Sequence, residues 1–291
     1  MTEKVLSTSK NGLAALILTT AGLIAGVLLF IASLSVLDGA AAVIGTIVGV
    51  LIMAFGWLPY CGLKVLKPQE ALVLTLFGKY IGTLKGDGFY CVNPFCTSVN
   101  PAAKTKLGQS GDVDASAHPT KLFTIQAGNA QTEIVSKKIS LKAMTLSNAK
   151  QKVNDVLGNP IEISVAVIWK VKDTAKAVFN VDNYKEYLSL QCDTAVRDIV
   201  KIYPYDMAPG IDTTGDGKAD DGSLRGSTTI VAERIRQMIQ EKVEEAGLEI
   251  LEARITYLAY APEIAAVMLQ RQQASAVIDA SEKHCQWHGS K

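Results

Sequence analysis

The chain has 291 residues, 29 Lys and Arg against 28 Asp and Glu, and a net charge of +1. That balance excludes a nucleic-acid partner held by bulk charge. The charges are uneven, scarce before Lys64 and ordinary after it, which describes a membrane anchor followed by a soluble body of about 230 residues. Five scattered cysteines, Cys61, Cys91, Cys96, Cys192 and Cys285, fit a reducing compartment better than a disulfide framework.

Residues 1–11 are short and polar, and mobility is expected of them. The apolar run Gly12–Leu58 follows, and between Lys10 and Lys64 its only ionisable acidic or basic side chain is Asp38. It is too long for one span and fits two, about Leu13–Leu37 and Ala40–Leu58, which at about 1.5 Å per residue reach roughly 37 and 28 Å. Asp38-Gly39 supplies the turn. A cleaved signal peptide has a shorter apolar core, and helices of a soluble core keep a polar stripe, so a transmembrane hairpin over residues 12–60 is expected. Gly22-x-x-x-Gly26 and Gly45-x-x-x-Gly49 offer close-approach faces for packing. Lys4 and Lys10 precede the hairpin, Lys64, Lys67, Lys79 and Lys85 follow it, and the turn carries only Asp38. The positive-inside rule then places both ends in the cytoplasm and the turn outside. Cys61, just past the second span, is a candidate for acylation, although an unmodified thiol is the commoner case.

The body, residues 61–260, reads as two parts, about 61–155 and 156–260. Lys67-Pro68-Gln69-Glu70 breaks any helix, Ala71–Phe77 is a strand by content, and Gly78–Gly82 and Gly86–Tyr90 read as turns. Val65-x-x-Pro68-x-Glu70-Ala71, Phe77-Gly78-Lys79-Tyr80, Gly86-x-Gly88 and Asn93-Pro94-Phe95, in that order and spacing, resemble the opening of the stomatin–prohibitin–flotillin (SPFH) superfamily, and the likeness runs over about residues 62 to 280. The resemblance implies a membrane-anchored, bacterial-type member at the inner (plasma) membrane. It implies an α+β fold of antiparallel strands with packed helices, ending in a coiled-coil-prone tail. It further implies a homo-oligomeric scaffold of a membrane microdomain that contacts lipids and organises membrane proteins, a membrane protease among the candidate clients.

Residues 98–120 are loop-like, and Leu122–Ala127 and Thr132–Leu141 read as strands joined at Gly128-Asn129. Lys137-Lys138 fits a solvated edge better than a lipid contact. Ile161–Val171 alternates with period two, placing Ile161, Ile163, Val165, Val167, Trp169 and Val171 on one buried face. A helix over about Val181–Ile202 buries Tyr184, Leu188, Ala195, Val196 and Ile199, with Arg197 as an ion-pair candidate. Asp212, Thr214, Asp216 and Asp220 have the flavour of a calcium loop around Gly217, but Ser223 stands where the bidentate Glu belongs, so a plain acidic loop is the simpler reading. Ser227–Ala246 is an amphipathic helix with Val231, Ile235, Met238, the stem of Lys242 and Ala246 inward, stopped by Gly247. Leu248–Leu258 is a strand with Leu248, Ile250, Ala253, Ile255 and Tyr257 inward and a slip near Leu251.

Residues 261–280 begin a tail helix at Pro262, with Ile264, Met268, Arg271 and Ile278 as its oligomer-forming positions. At 281–291 the resemblance stops. Another reading frame of one codon choice for Lys283–Lys291 gives a family-like continuation, so a frame-shifted or truncated tail is expected. An intact frame with no such continuation downstream would overturn that.

His284, Cys285 and His288 could hold zinc by spacing, with coincidence the simpler account. There is no nucleophile elbow, phosphate loop or dinucleotide fingerprint, so no enzyme and no cofactor is expected. A membrane-bound hydrolase and a subunit of a transport or channel complex are the alternatives. The first lacks a motif, and the second lacks intramembrane charge.

Overall fold

The computed structural model describes residues 2–6, 11–35, 39–105, 136–206, 222–271 and 273–274. Outside them lie Asp38, the Leu122–Ala127 strand with its turn, the start of the Thr132–Leu141 strand, the calcium-loop candidates Asp212, Thr214, Asp216 and Asp220, Ile278, and the His284–His288 cluster.

Helices α1 (Gly12–Ser35) and α2 (Ala40–Phe55) form the apolar hairpin, and a 3-10 turn at Leu58–Gly62 leads into the body. The first part of the body holds β1 (Leu63–Leu66), β2 (Glu70–Leu76), β3 (Lys79–Lys85), β4 (Gly88–Cys91), β5 (Thr97–Ser98) and β6 (Ile139–Ser140). β1 pairs with β4 as a ribbon, while β2 is central to an antiparallel sheet with β3 on one side and β5 and β6 on the other. β2 is buried on both faces from Ala71 to Thr75 because Val73 packs into the main core and Leu72 and Leu74 into a smaller one on the other side. Two expected turns are shorter than the sequence suggested: Lys79–Gly82 belong to β3, and Gly88–Tyr90 to β4. The β2–β3 reversal needs only Phe77 and Gly78, both at positive φ (47° and 84°), the backbone a two-residue hairpin with matched twist requires.

The second part is built on β9 (Pro160–Val171). β10 (Leu248–Tyr260) lies along one edge, and β7 (Met144–Ser147) and β8 (Gln151–Asn154) share the other. All six residues of the predicted inward face of β9 are buried. Helices α3 (Thr174–Phe179), α4 (Tyr184–Val200) and α5 (Thr228–Val243) complete this half. α3 carries no sequence periodicity and depends on its cap, the Asp173 carboxylate accepting from Lys176 N at 2.9 Å. α4 buries the expected stripe plus Cys192 and Val200.

Two phases needed correction. In α5 the buried row is Val231, Ile235, Ile239 and Val243, a strict i+4 ladder, so Lys242 instead reaches Asp198 at 3.3 Å and Met238 is half-buried. In β10 the register slips at Leu251 as expected and again at Thr256. The second slip turns Tyr257 outward, where Lys150 Nζ sits 3.6 Å from its ring centroid, and leaves Leu258 and Tyr260 against the core.

Candidate membrane interface

The hairpin is held by close approach. A Cβ at Gly26 would lie 2.5 Å from Ile52 Cγ2, one at Gly45 2.9 Å from Ser33 Cβ, one at Gly49 2.9 Å from Phe30 Cβ, and one at Gly56 2.8 Å from Leu23 Cδ2. Gly22 differs, with nothing within 4 Å. Between the helices the Ser33 and Thr46 hydroxyls lie 3.0 Å apart; one donates to the other, and the accepting hydroxyl turns its own proton back to its helix, Ser33 to Phe30 O or Thr46 to Ala42 O. Ser33 is thereby buried but satisfied, as a polar group in hydrocarbon must be. The outward faces show Ile17, Leu18, Leu28, Val43, Ile44 and Leu51. Only 6% of either apolar window is buried, whereas a core helix of a soluble protein is mostly buried. The two helices are long and apolar enough to anchor the protein in a membrane.

Both ends of the hairpin meet the same ribbon. A Cβ at Gly12 would strike Phe89 C of β4 at 2.7 Å, so only glycine lets α1 start there. Beyond α2, at the last residue of the 3-10 turn, a Cβ at Gly62 would lie 2.1 Å from Val92 O, and Val92 N donates to Gly62 O at 2.9 Å. Apolar side chains are exposed around this junction: Trp57 at the exit of α2, Val65 on β1, and Phe95 just after the Val92 contact. Phe77 joins them. β5 pairs Thr97 with Thr75, which brings the turn at Asn93–Phe95 beside the Phe77 hairpin tip. Phe77 is 90% exposed and held at φ 47° by the β2–β3 turn, a costly conformation for a bulky residue. Cys61 is exposed at the same boundary.

The N-terminal residues, expected to be mobile, are docked. Val5 bridges Thr83 of β3 in parallel, Leu6 N donates to Thr83 O at 3.0 Å, and Thr83 N donates to Lys4 O at 2.8 Å. Thr2–Leu6 carry one acid, one base and two apolar side chains, too few to announce an element. The signal that could have found the pairing lies in β3, where a Cβ at Gly82 would meet Leu6 Cγ at 2.7 Å and Lys4 O at 2.9 Å.

The remaining candidates fall elsewhere. In the tail helix Ile264 and Met268 are half-buried and Arg271 is exposed, with Val267 and Leu269 also exposed. Lys138 pairs with Glu70 at 3.0 Å. Arg197 Nε donates to Gln151 Oε1 at 3.0 Å. Asp193 accepts from Asn148 Nδ2 at 2.8 Å and from Gln151, tying α4 to the β7–β8 connection. Burial pushes its carboxyl above the usual range, against the opposing pull of Arg197 and those two hydrogen bonds. Among the described residues no three His, Cys, Asp or Glu converge on a metal position.

A search of curated proteins returns no match. A family model, the SPFH domain / Band 7 family, matches residues 64–284, which begins where the hairpin ends and takes in both halves of the body. The chain therefore belongs to the SPFH domain / Band 7 family.

Proposed function

We propose that this protein is a non-enzymatic, two-span membrane scaffold, assembling with copies of itself on one face of a membrane to organise proteins or lipids there. The observation that carries this reading is the meeting of both chain ends of the hairpin at one ribbon. Gly12 abuts Phe89, Gly62 abuts Val92, and the segment before α1 pairs with a strand after α2. That arrangement supports an even number of spans, with the N-terminus and the whole body on the same side. The lysine flanks favour the cytoplasmic side.

Self-assembly is supported by family membership and by the apolar positions exposed on the tail helix, Val267 and Leu269, beside the half-buried Ile264 and Met268. A membrane protease is the client class the family resemblance favours. Electron microscopy of the detergent-extracted full-length protein tests the scaffold, closed rings or cages being expected and a uniform monomer refuting it. Reporter fusions test the topology: one in the turn at residue 39 should be external and one after residue 271 cytoplasmic. The competing hydrolase reading requires labelling by active-site probes.

A further inference from the structure

We infer that the outer edge of β3 is a strand-binding site whose occupant is the chain's own N-terminal segment, residues 2–6, acting as a strap that clamps the two halves of the body together.

Three independent features of the structure point to it. The first is the backbone. The strap makes two ladder hydrogen bonds with Thr83 and runs parallel to β3, filling an edge that would otherwise present unpaired N–H and C=O groups. The second is the fit. The three atoms nearest a Cβ at Gly82 all belong to the strap, namely Leu6 Cγ, Lys4 O and Leu6 Cδ1. Glycine here clears the strap and nothing nearer. Leu6 then rests on the small core of Leu66, Leu72, Leu74, Leu84 and Tyr90.

The third feature is the Glu3 carboxylate, only 13% exposed. One oxygen takes Lys85 Nζ at 2.5 Å, at the end of β3. The other accepts from the Thr174 hydroxyl and, at 3.2 Å, from Thr174 N, at the start of α3. Lys85 Nζ also donates to Lys172 O at 3.2 Å. Thr174 reaches Thr83 hydroxyl-to-hydroxyl at 3.2 Å. One carboxylate thus joins the β2 sheet to the β9 half, and a charge this enclosed is stable only with such partners. Tyr80 backs the strap, its hydroxyl accepting from Lys4 N at 3.2 Å while its ring meets Phe179 of α3 edge-on.

The edge selects for a short extended segment with an acid at residue 3 and a leucine at residue 6. Because it precedes α1, it fixes the body against the membrane from a second point besides the exit of α2.

The test uses the full-length protein in detergent. Hydrogen exchange should find the Leu6 and Thr83 amides protected. Gly82→Val should raise both exchange rates by about tenfold or more while the amides of β9 keep their protection. Leu6→Asp, which leaves the sheet untouched, should do the same, and Glu3→Gln should give a smaller rise. A carbodiimide should couple Glu3 to Lys85. In a mixture of heavy- and light-isotope protein that coupled peptide should be heavy–heavy or light–light only. Unprotected Leu6 in the unaltered protein, or unchanged protection in both Gly82→Val and Leu6→Asp, would overturn the strap. A heavy–light coupled peptide would overturn its assignment to the same chain. None of these readouts depends on ring formation, so the scaffold reading stands or falls separately.

Discussion

Gly49→Leu and Gly22→Leu should have opposite consequences for the hairpin, although both put leucine in an apolar helix. At Gly49 a Cβ would stand 2.9 Å from Phe30 Cβ, 3.2 Å from Phe30 Cα and 3.3 Å from Gly26 O. Two of those atoms are backbone and cannot rotate away, so the helices must part. Overpacking of this kind costs about 1–3 kcal/mol, which is about 5- to 150-fold in the equilibrium between packed and separated helices. Parting also strains the Ser33–Thr46 hydrogen bond, worth about 0.6 kcal/mol in such settings. At Gly22 nothing lies within 4 Å, and leucine there gains helix propensity at no steric cost. The assay is energy transfer between labels at residues 13 and 55, both exposed and at the same end of the hairpin, during titration with SDS in mixed micelles. Gly49→Leu should separate the labels at lower SDS, and Gly22→Leu should match the unaltered protein or exceed it. Equal loss in the two variants would refute the packing described here.

Phe77→Gly should relieve a left-handed conformation worth about 1 kcal/mol and raise the melting temperature of the body by about 2–4 °C; a lower temperature would mean that Phe77 packs on something. Glu70 should stabilise the fold above its unfolded pKa. Burial alone would raise its carboxyl, but the hydrogen bond from Lys67 N and pairing with Lys138 outweigh that and hold it below the ordinary 4.5. A depressed pKa gives stability that is present above the unfolded value and lost as pH falls through the folded one. Urea melts from pH 7 downward should therefore show Glu70→Gln weaker at neutral pH and converging with the unaltered protein in acid, and a constant gap would be the wrong answer. Burial, with the Asp193 charge beside it, pushes the Cys192 thiol up to about 12. Iodoacetamide at pH 8 should label exposed Cys61 and spare Cys192 in the folded protein, which peptide mass spectrometry reads directly.

Much of this architecture is legible in the residues because burial imposes a period. β9 alternates along its length except at Ser164, which is buried on the opposite face, and its inward face is buried without exception. The apolar run Gly12–Leu58 leaves little choice but a hairpin, and the order of short motifs from Val65 to Phe95 marks the family before any contact is known. What could not be read follows from three causes. The inward row of α5 was ambiguous, because Met238 and Ile239 sit on adjacent steps and only packing decides between an i+3 and an i+4 row. The second slip of β10, at Thr256, arises where Ser164 and Thr256 hydrogen bond to one another across the sheet, a local exchange of partners with no composition signature. The docked N-terminus depends on clearance over Gly82, a property of the acceptor strand and not of the five residues that use it. For the membrane interface, the spans were legible, whereas Ser33–Thr46, Gly56 and the Phe77 tip required the hairpin's own geometry.

The pairing of β9 has a consequence for how the protein is made. Its partners on one edge, β7 and β8, leave the ribosome before it does, but β10 arrives only after α3, α4 and α5, and joins residue 260 to residue 161. A sheet with so distant a closing strand nucleates slowly and cannot finish during synthesis of its first half. The hairpin, complete by Phe55, is available to the insertion machinery long before that. If the hairpin inserts as proposed, this order of emergence would deliver the chain to the bilayer while most of its body is still unmade, and β9 would wait for its last neighbour at the membrane surface and not free in solution.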